Sequence, residues 1–335
     1  MNWWSSSLFY YFLDEPPPTT PILSNGPILI NGLIIEAMKS NKVMVIVGPT
    51  ASGKSALAVR LAREFNGEVI SADSRQVYKG LDVGTGKVTK KEMGSVPHHL
   101  LNVASPRHTF TVVRYQKLAG RAIRSILVKG KLPILCGGTG LYLDAVIYNY
   151  HLPHVPPDPK LRRRLGKEPA EKLFAKLQKL DPERAASVDA KNKRRLIRAL
   201  EIIIKTSKPV PSLIRTNRRI VNFEVLKIGI TLPEKALKGK IWARLSRWLE
   251  MGLVAEVKKL RRGGLSWKQL ENFGLVYREV SRYLQKLITE EEMNGTLRKK
   301  LWHYAKRQMT WFKRDKEIRW VRNAKEAEKL VRDFV

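Results

Sequence analysis

The sequence predicts an α/β protein in which a parallel sheet core carries a basic all-helical insertion and continues into a helical C-terminal region. Three observations predict it. Val43–Val47 and Leu132–Cys136 are continuous apolar runs, as expected of strands buried on both faces. Strand-like and helix-like segments alternate between them, which implies right-handed crossovers within one sheet. A proline-rich stretch, His151–Pro159, then separates this pattern from a helical and strongly basic one.

Taken in order, residues 1–42 are rich in Pro, Ser and Asn without periodicity and are expected to be a poorly ordered extension. Its aromatic start, Met1–Leu13, has only a short apolar run and no basic residues. Asp14, Glu15 and Pro16–Pro18 follow instead of a small-residue cleavage site, so no signal peptide is expected. No segment approaches the ~20 apolar residues needed to span a bilayer. Val43–Val47 leads through a glycine-rich turn into an amphipathic helix, Ser55–Phe65. Glu68–Ser71 reads as a second strand, Arg114–Lys129 as a helix, and Leu132–Cys136 as a strand ending in Gly137-Gly138-Thr139-Gly140. Residues 43–151 and 208–335 form the expected core, with 152–207 as the insertion. Lys160–Lys205 reads as helical, broken at Asp181-Pro182. Leu226–Ile230 predicts a strand returning to the sheet. From Lys235 the chain reads as mainly helix, with turns at Gly263-Gly264 and Asn294-Gly295.

Charge narrows the partners. Among 335 residues, 63 Lys+Arg stand against 30 Asp+Glu, a formal net charge of +33. Between Lys160 and Arg219 alone, 19 Lys/Arg face 6 Asp/Glu. Such an excess repels itself, and a nucleic acid is the usual polyanion that relieves it. A solvated lysine-rich surface is the competing reading, since a thermophile-like Lys excess normally brings matching Glu. The single cysteine, Cys136, excludes a disulfide framework and a Cys-rich zinc site, and it fits a reducing, cytoplasmic setting. His98, His99, His108, His151, His154 and His303 show no metal-ligand spacing. No self-association stripe is evident, so a monomer is expected.

The strongest local signal is Gly48-Pro49-Thr50-Ala51-Ser52-Gly53-Lys54-Ser55, which matches G-x-x-x-x-G-K-[ST] between a buried strand and an amphipathic helix. Backbone N–H groups and a helix N-terminus there converge on phosphate oxygens, Lys54 adds a charge, and Ser55 is placed to hold Mg²⁺. The core is thus P-loop NTPase-like, although the motif does not name the phosphate compound. The second strand ends at Ser71-Ala72-Asp73, which puts Asp73 at the carboxyl edge where α/β sheets bind ligands. Three roles suit it there: a proton acceptor, an organiser of Mg²⁺-bound water, or a plain turn aspartate. The strand Leu132–Cys136 ends in Gly-Gly and not in an acid, which weakens an ATPase reading.

Beyond these motifs, Ile70–Ser74, Tyr78–Thr85, Pro97–Leu101 and Gly137–Tyr142 follow the P-loop in the order of a known family. Arg194–Glu201 and Ala305–Trp311 match two further blocks. From about Val43 to Trp320 the chain closely resembles the tRNA dimethylallyltransferases, also called tRNA isopentenyltransferases. The resemblance implies transfer of the dimethylallyl group of dimethylallyl diphosphate to N6 of the adenine 3′-adjacent to the anticodon. The partner would be a tRNA anticodon stem-loop and the cofactor Mg²⁺. The P-loop would then grip a prenyl diphosphate, and the basic surplus would hold tRNA phosphates.

Carried over residue by residue, the resemblance makes Asp73 the catalytic aspartate that takes the proton from N6. Lys54 and Ser55 would bind diphosphate and Mg²⁺, and Arg244 would reach the same diphosphate. Thr139 would lie near the substrate adenine. Stretches matching tRNA contacts are Asp73, Ser74, Arg75 and Gln76; Arg162; Arg194, Arg195, Leu196, Ile197 and Arg198; and Leu301–Gln308, with His303, Lys306, Arg307 and Gln308. Tyr277 and Arg278 belong to a further such block. There the family usually has Gly before Tyr, whereas here Val276 precedes Tyr277 and the glycine stands at Gly274, which puts the local backbone path and its tRNA contacts in question. The target base should be extruded from the loop, at a cost on the order of a few kcal/mol. Tyr78, Phe273 and Tyr277 are candidate stacking platforms, with core packing as the other reading. Three competing functions are a P-loop kinase using ATP, a transferase acting on free adenine nucleotides, and a non-catalytic RNA-binding module. None accounts at once for the intact P-loop, Asp73 and the basic insertion.

Overall fold

A computed structural model of the chain describes residues 28–30, 33–35, 40–211 and 223–335. The expectation of a poorly ordered extension falls largely on residues outside this set, as does part of the expected core at 212–222. Residues up to Lys39 are a unit separate from Ser40–Val335. In that first unit Ile28–Ile30 (β1) pairs antiparallel with Leu33–Ile35 (β2), a ladder that the sequence pattern did not announce.

The second unit is built on a six-stranded, wholly parallel sheet of β3 (Lys42–Val47), β4 (Gly67–Ser71), β5 (His98–His99), β6 (Leu132–Cys136), β7 (Glu224–Ile230) and β8 (Arg319–Val321). Their spatial order is β5-β4-β6-β3-β7-β8. β3 lies at the centre, with Val45 opposite both Leu135 and Lys227. Its run Val43–Val47 is buried throughout, as the continuous apolar pattern requires. Lys227 is the exception among these inward positions. Its ammonium is hydrogen-bonded to Asp315, Glu317 and the Tyr148 hydroxyl, so the buried charge is paired.

Fourteen helices complete the described chain: α1 (Lys54–Glu64), α2 (Lys90–Met93), α3 (Val112–Val128), α4 (Gly140–Ile147), α5 (Pro159–Gly166), α6 (Ala170–Leu180), α7 (Pro182–Ser187), α8 (Lys193–Thr206), α9 (Glu234–Glu250), α10 (Leu253–Arg262), α11 (Trp267–Asn272), α12 (Leu275–Leu284), α13 (Glu290–Phe312) and α14 (Ala324–Arg332). α1 and α14 pack with the sheet in one apolar cluster that includes Leu61, Ile134, Ile228 and Val331. Helices α5–α8 close around a cluster of their own, built on Leu161, Leu173, Leu177, Leu196 and Leu200. The break at Asp181-Pro182 has a local cause. The Asp181 carboxylate accepts from Arg184 N and so caps α7, while Pro182 occupies its first turn, where no N–H is needed.

One expected turn is corrected. Asn294-Gly295 lies inside α13, a helix of 23 residues. A capping box between Thr289 and Glu292 starts the helix ahead of it, and Met293, Leu297, Leu301 and Ala305 bury one continuous face. That burial outweighs the ~1 kcal/mol cost of an interior glycine. Among the described residues no helix is long and apolar enough to cross a membrane.

Candidate active site

The carboxyl ends of β3, β4 and β6 bring three sequence segments together. After β3 the chain turns through the P-loop, where Ala51 (φ 64°) and Gly53 (φ 95°) adopt left-handed conformations. Alternating hands of this kind turn successive N–H groups toward one point and make an anion-binding concavity. Gly53 caps α1 without a side chain, so the helix N-terminus opens onto the same point. Ser52 is buried, and its hydroxyl has no hydrogen-bond partner, a donor suited to a phosphate oxygen. Lys54 bends back to donate to Pro49 O at 2.6 Å. Burial, helped by the neighbouring Arg244 charge, pulls its ammonium from 10.5 down to about 8. Ser55 stands exposed beside it, and both line a cavity of about 1040 Å³ with Val83, Gly86, Arg244 and Trp248.

Arg244 reaches this point from α9. It donates to Thr50 Oγ1 (3.2 Å) and to Gly86 O (3.1 Å), and it lies over the Trp248 ring. Burial lowers its pKa, while the charge of Asp73 works the other way. The sequence alone reads this residue as an ordinary helix arginine. The fold makes it a second cation at the phosphate loop.

Asp73 follows β4 in a tight turn. Its Oδ1 accepts from Arg75 N (2.8 Å) and from Gln76 N (3.4 Å), so the turn-aspartate role is real. Those bonds orient the carboxylate and leave Oδ2 to accept from a substrate. Thr139, at the start of α4, accepts from Ser74 N at 3.0 Å and so ties the β6 turn to the Asp73 turn. The charge of Asp73 is felt by Lys54, Arg244 and Tyr304, which places all four in one electrostatic neighbourhood. Cys136, at the end of β6, is buried, and desolvation pushes its thiol up to about 11, so it is no nucleophile.

The residues expected to touch tRNA separate into two groups. Arg194, Arg195, His303, Lys306 and Arg307 are exposed, and Arg75 and Arg278 are half-buried. Several of the others are tied into contacts within the protein, although Arg162 and Arg198 keep 41% and 36% of their side chains exposed. Leu196 is fully buried in the α5–α8 cluster, and Ile197 packs against it, so the Leu196 side chain serves packing and not an outside contact. Arg162 and Arg198 both bind the buried carboxylate of Glu201, at 2.7 and 2.6 Å. Gln308 is buried; its amide oxygen accepts from Thr50 N (2.8 Å) and its amide nitrogen donates to Gly138 O (3.0 Å). It braces the P-loop against the β6 turn. Gln76 likewise turns inward, donating to Gly86 O at 3.2 Å.

Of the two readings given for the aromatic residues, the structure takes core packing. Tyr78, Phe273 and Tyr277 are buried and meet edge to face; the Tyr78 hydroxyl accepts from Phe110 N at 3.0 Å, and the Tyr277 hydroxyl donates to Glu256 at 2.8 Å. Gly274 (φ +119°) supplies the unusual backbone ahead of α12, two residues earlier than a glycine directly before Tyr277 would.

Known proteins are similar to this chain in sequence and fold. Residues 76–315 match the family model described as IPP transferase, and residues 41–105 match one described as isopentenyl transferase. The chain is 40% identical to a tRNA dimethylallyltransferase of Pelotomaculum thermopropionicum over 287 residues, 85% of this chain and 91% of that one. It is 43% identical to a Roseiflexus protein of the same name over 279 residues, covering 81% and 90%. Among solved structures, the tRNA isopentenylpyrophosphate transferase of Bacillus halodurans superposes with a TM-score of 0.65 at 38% identity, covering 88% of this chain and 95% of that one. A eukaryotic dimethylallyltransferase described as acting on tRNA gives a TM-score of 0.70 at 29% identity, covering 84% and 74%. With its P-loop, Asp73 and Arg244 gathered at one sheet edge, the chain is a member of the IPP transferase family.

Proposed function

We propose that the protein transfers the dimethylallyl group of dimethylallyl diphosphate to N6 of the adenine 3′-adjacent to the anticodon in tRNA, releasing diphosphate. The observation that carries this reading is the meeting of Asp73 with Lys54 and Arg244 at the mouth of a P-loop, in a chain whose relatives bear this activity in their names. The N6 lone pair attacks C1 of the donor as the C1–O bond breaks, and the electrons leave with diphosphate. Asp73 accepts the N6 proton, which matters because the exocyclic amine is a weak nucleophile while its lone pair is shared with the ring. Lys54, Arg244 and the P-loop N–H groups bind the leaving diphosphate and stabilise its growing charge.

Mg²⁺ suits this site as a metal carried on substrate oxygens. Ser55 offers a hydroxyl at the loop, and among the described residues no group of three or more His, Cys, Asp or Glu is arranged to cage an ion. When bound, the metal would neutralise diphosphate charge. The exposed arginines of α8 and the basic outer face of α13 are the surfaces proposed for the anticodon stem-loop. The working unit is taken as a monomer, since one chain supplies every group named, and the cytoplasm as its compartment.

The test is mass spectrometry of nucleosides from unmodified tRNA incubated with the protein, Mg²⁺ and dimethylallyl diphosphate. N6-dimethylallyladenosine in the tRNA digest is the expected product. Prenylation of AMP or ADP but not of tRNA would replace this reading with a nucleotide acceptor.

A further inference from the structure

Glu256, on α10, touches neither the P-loop nor Asp73, and nothing in the sequence singles it out. Its carboxylate nevertheless takes four hydrogen bonds. Asp82 N and Val83 N donate to Oε2 at 2.8 and 2.7 Å, and Gly84 N donates to Oε1 at 3.0 Å. The Tyr277 hydroxyl donates to Oε1 at 2.8 Å. Three successive backbone N–H groups converging on one carboxylate fix a loop far more firmly than its own short-range turns do. Gly84 also lies close against the Tyr277 ring, where an added Cβ would fall 2.9 Å from the ring carbon that bears the hydroxyl.

The held loop leads straight to the diphosphate site. Val83 and Gly86 line the cavity beside Lys54 and Ser55. Gly86 O accepts from Arg244 Nη2 (3.1 Å) and from Gln76 Nε2 (3.2 Å), while the other end of the Arg244 guanidinium donates to Thr50 Oγ1. The contact is so close that a Cβ on Gly86 would lie 1.7 Å from Nη2.

We infer that Glu256 and Tyr277 are positioning residues for donor binding: they hold the Asp82–Gly86 loop so that its Gly86 carbonyl aims Arg244 at the diphosphate. The inference rests on the transferase reading above. It also gives Tyr277 a task in place of the tRNA contact expected of it.

The experiment is steady-state kinetics of E256Q and Y277F, with dimethylallyl diphosphate varied at saturating tRNA and then the reverse, alongside thermal melts. E256Q keeps the side chain's shape but turns an NH₂ toward backbone N–H groups. Its donor KM should rise about tenfold, and that of Y277F about two- to threefold, with the tRNA KM unchanged in both. Wild-type donor KM in E256Q together with a lowered melting temperature would reduce Glu256 to a stabilising contact and overturn the inference. So would a rise confined to the tRNA KM. If wild-type protein forms no prenylated tRNA, the functional reading fails separately. Calorimetric titration with inorganic diphosphate then decides, with weaker binding to E256Q expected and equal binding overturning the inference.

Discussion

Basic residues serve opposite ends in the P-loop region and in the α5–α8 insertion. Around the P-loop they are few and desolvated: Lys54 is pulled down to about 8 and Arg244 is lowered as well, so each is poised to gain from an incoming anion. In the insertion they are many, and the fold divides them. Arg162 and Arg198 are spent on the buried Glu201, whose other bond, from Asp158 N, fastens the proline-rich entry to α5. Arg194 and Arg195, one turn away on the same helix, face solvent. A block that reads as one basic run therefore contains both arginines clamped on a buried carboxylate and arginines turned to solvent. Charge counted along a sequence predicts a partner only after the clamped share is subtracted.

The largest way to break this comparison is at the site itself. Asp73→Asn should lower kcat by roughly 10²- to 10⁴-fold, the range of general-base catalysis, while both substrates still bind. Near-normal turnover would remove Asp73 from the chemistry. Next comes the division within α8. Replacing Arg194 and Arg195 with Ala should weaken tRNA binding and reduce the slope of log affinity against log salt by about 1.5 units, without a change in stability. Glu201→Gln should do the reverse, costing about 1–3 kcal/mol in denaturant unfolding and leaving the salt slope intact. Equal salt slopes in the two variants would mean that the clamped and the exposed arginines meet RNA alike.

The smallest effect concerns pH. Lys54 in the folded protein titrates near 8, below its usual 10.5, so it loses charge as pH rises through about 8. Donor KM should therefore climb several-fold between about pH 7 and 9, and binding should take up a proton near pH 8. Because the unfolded chain holds that proton up to about 10.5, the same group favours the folded state increasingly over this window. Calorimetry in buffers of different ionisation enthalpy measures the uptake directly.

Much of the core was legible because its signals are local. Val43–Val47 had to be a buried strand, and the strand-to-helix context pointed to Gly48–Ser55 as a phosphate loop. The Asp73 edge position followed from the length of β4. What escaped has a common physical cause, since it depends on partners distant in sequence. β8 has only three residues and is a strand because β7 supplies its ladder. Gly295 reads as a breaker but is overruled by burial along α13. Gln308 and Glu256 look like ordinary helix residues, and only packing shows the backbone N–H groups that each one holds. Tyr277 and Phe273 resemble stacking platforms by type, yet the ring cluster with Tyr78 turns them inward.

Cys136 bears on how the protein can be studied. It is the sole thiol in 335 residues, buried at the end of a central strand and titrating near 11. At neutral pH only about one molecule in ten thousand carries the reactive thiolate. The natural chain is therefore close to a cysteine-free background for maleimide chemistry. A single cysteine placed at Arg194 or Lys306 would take a probe selectively, and RNA arriving at either surface could be followed without first stripping the protein of competing sites.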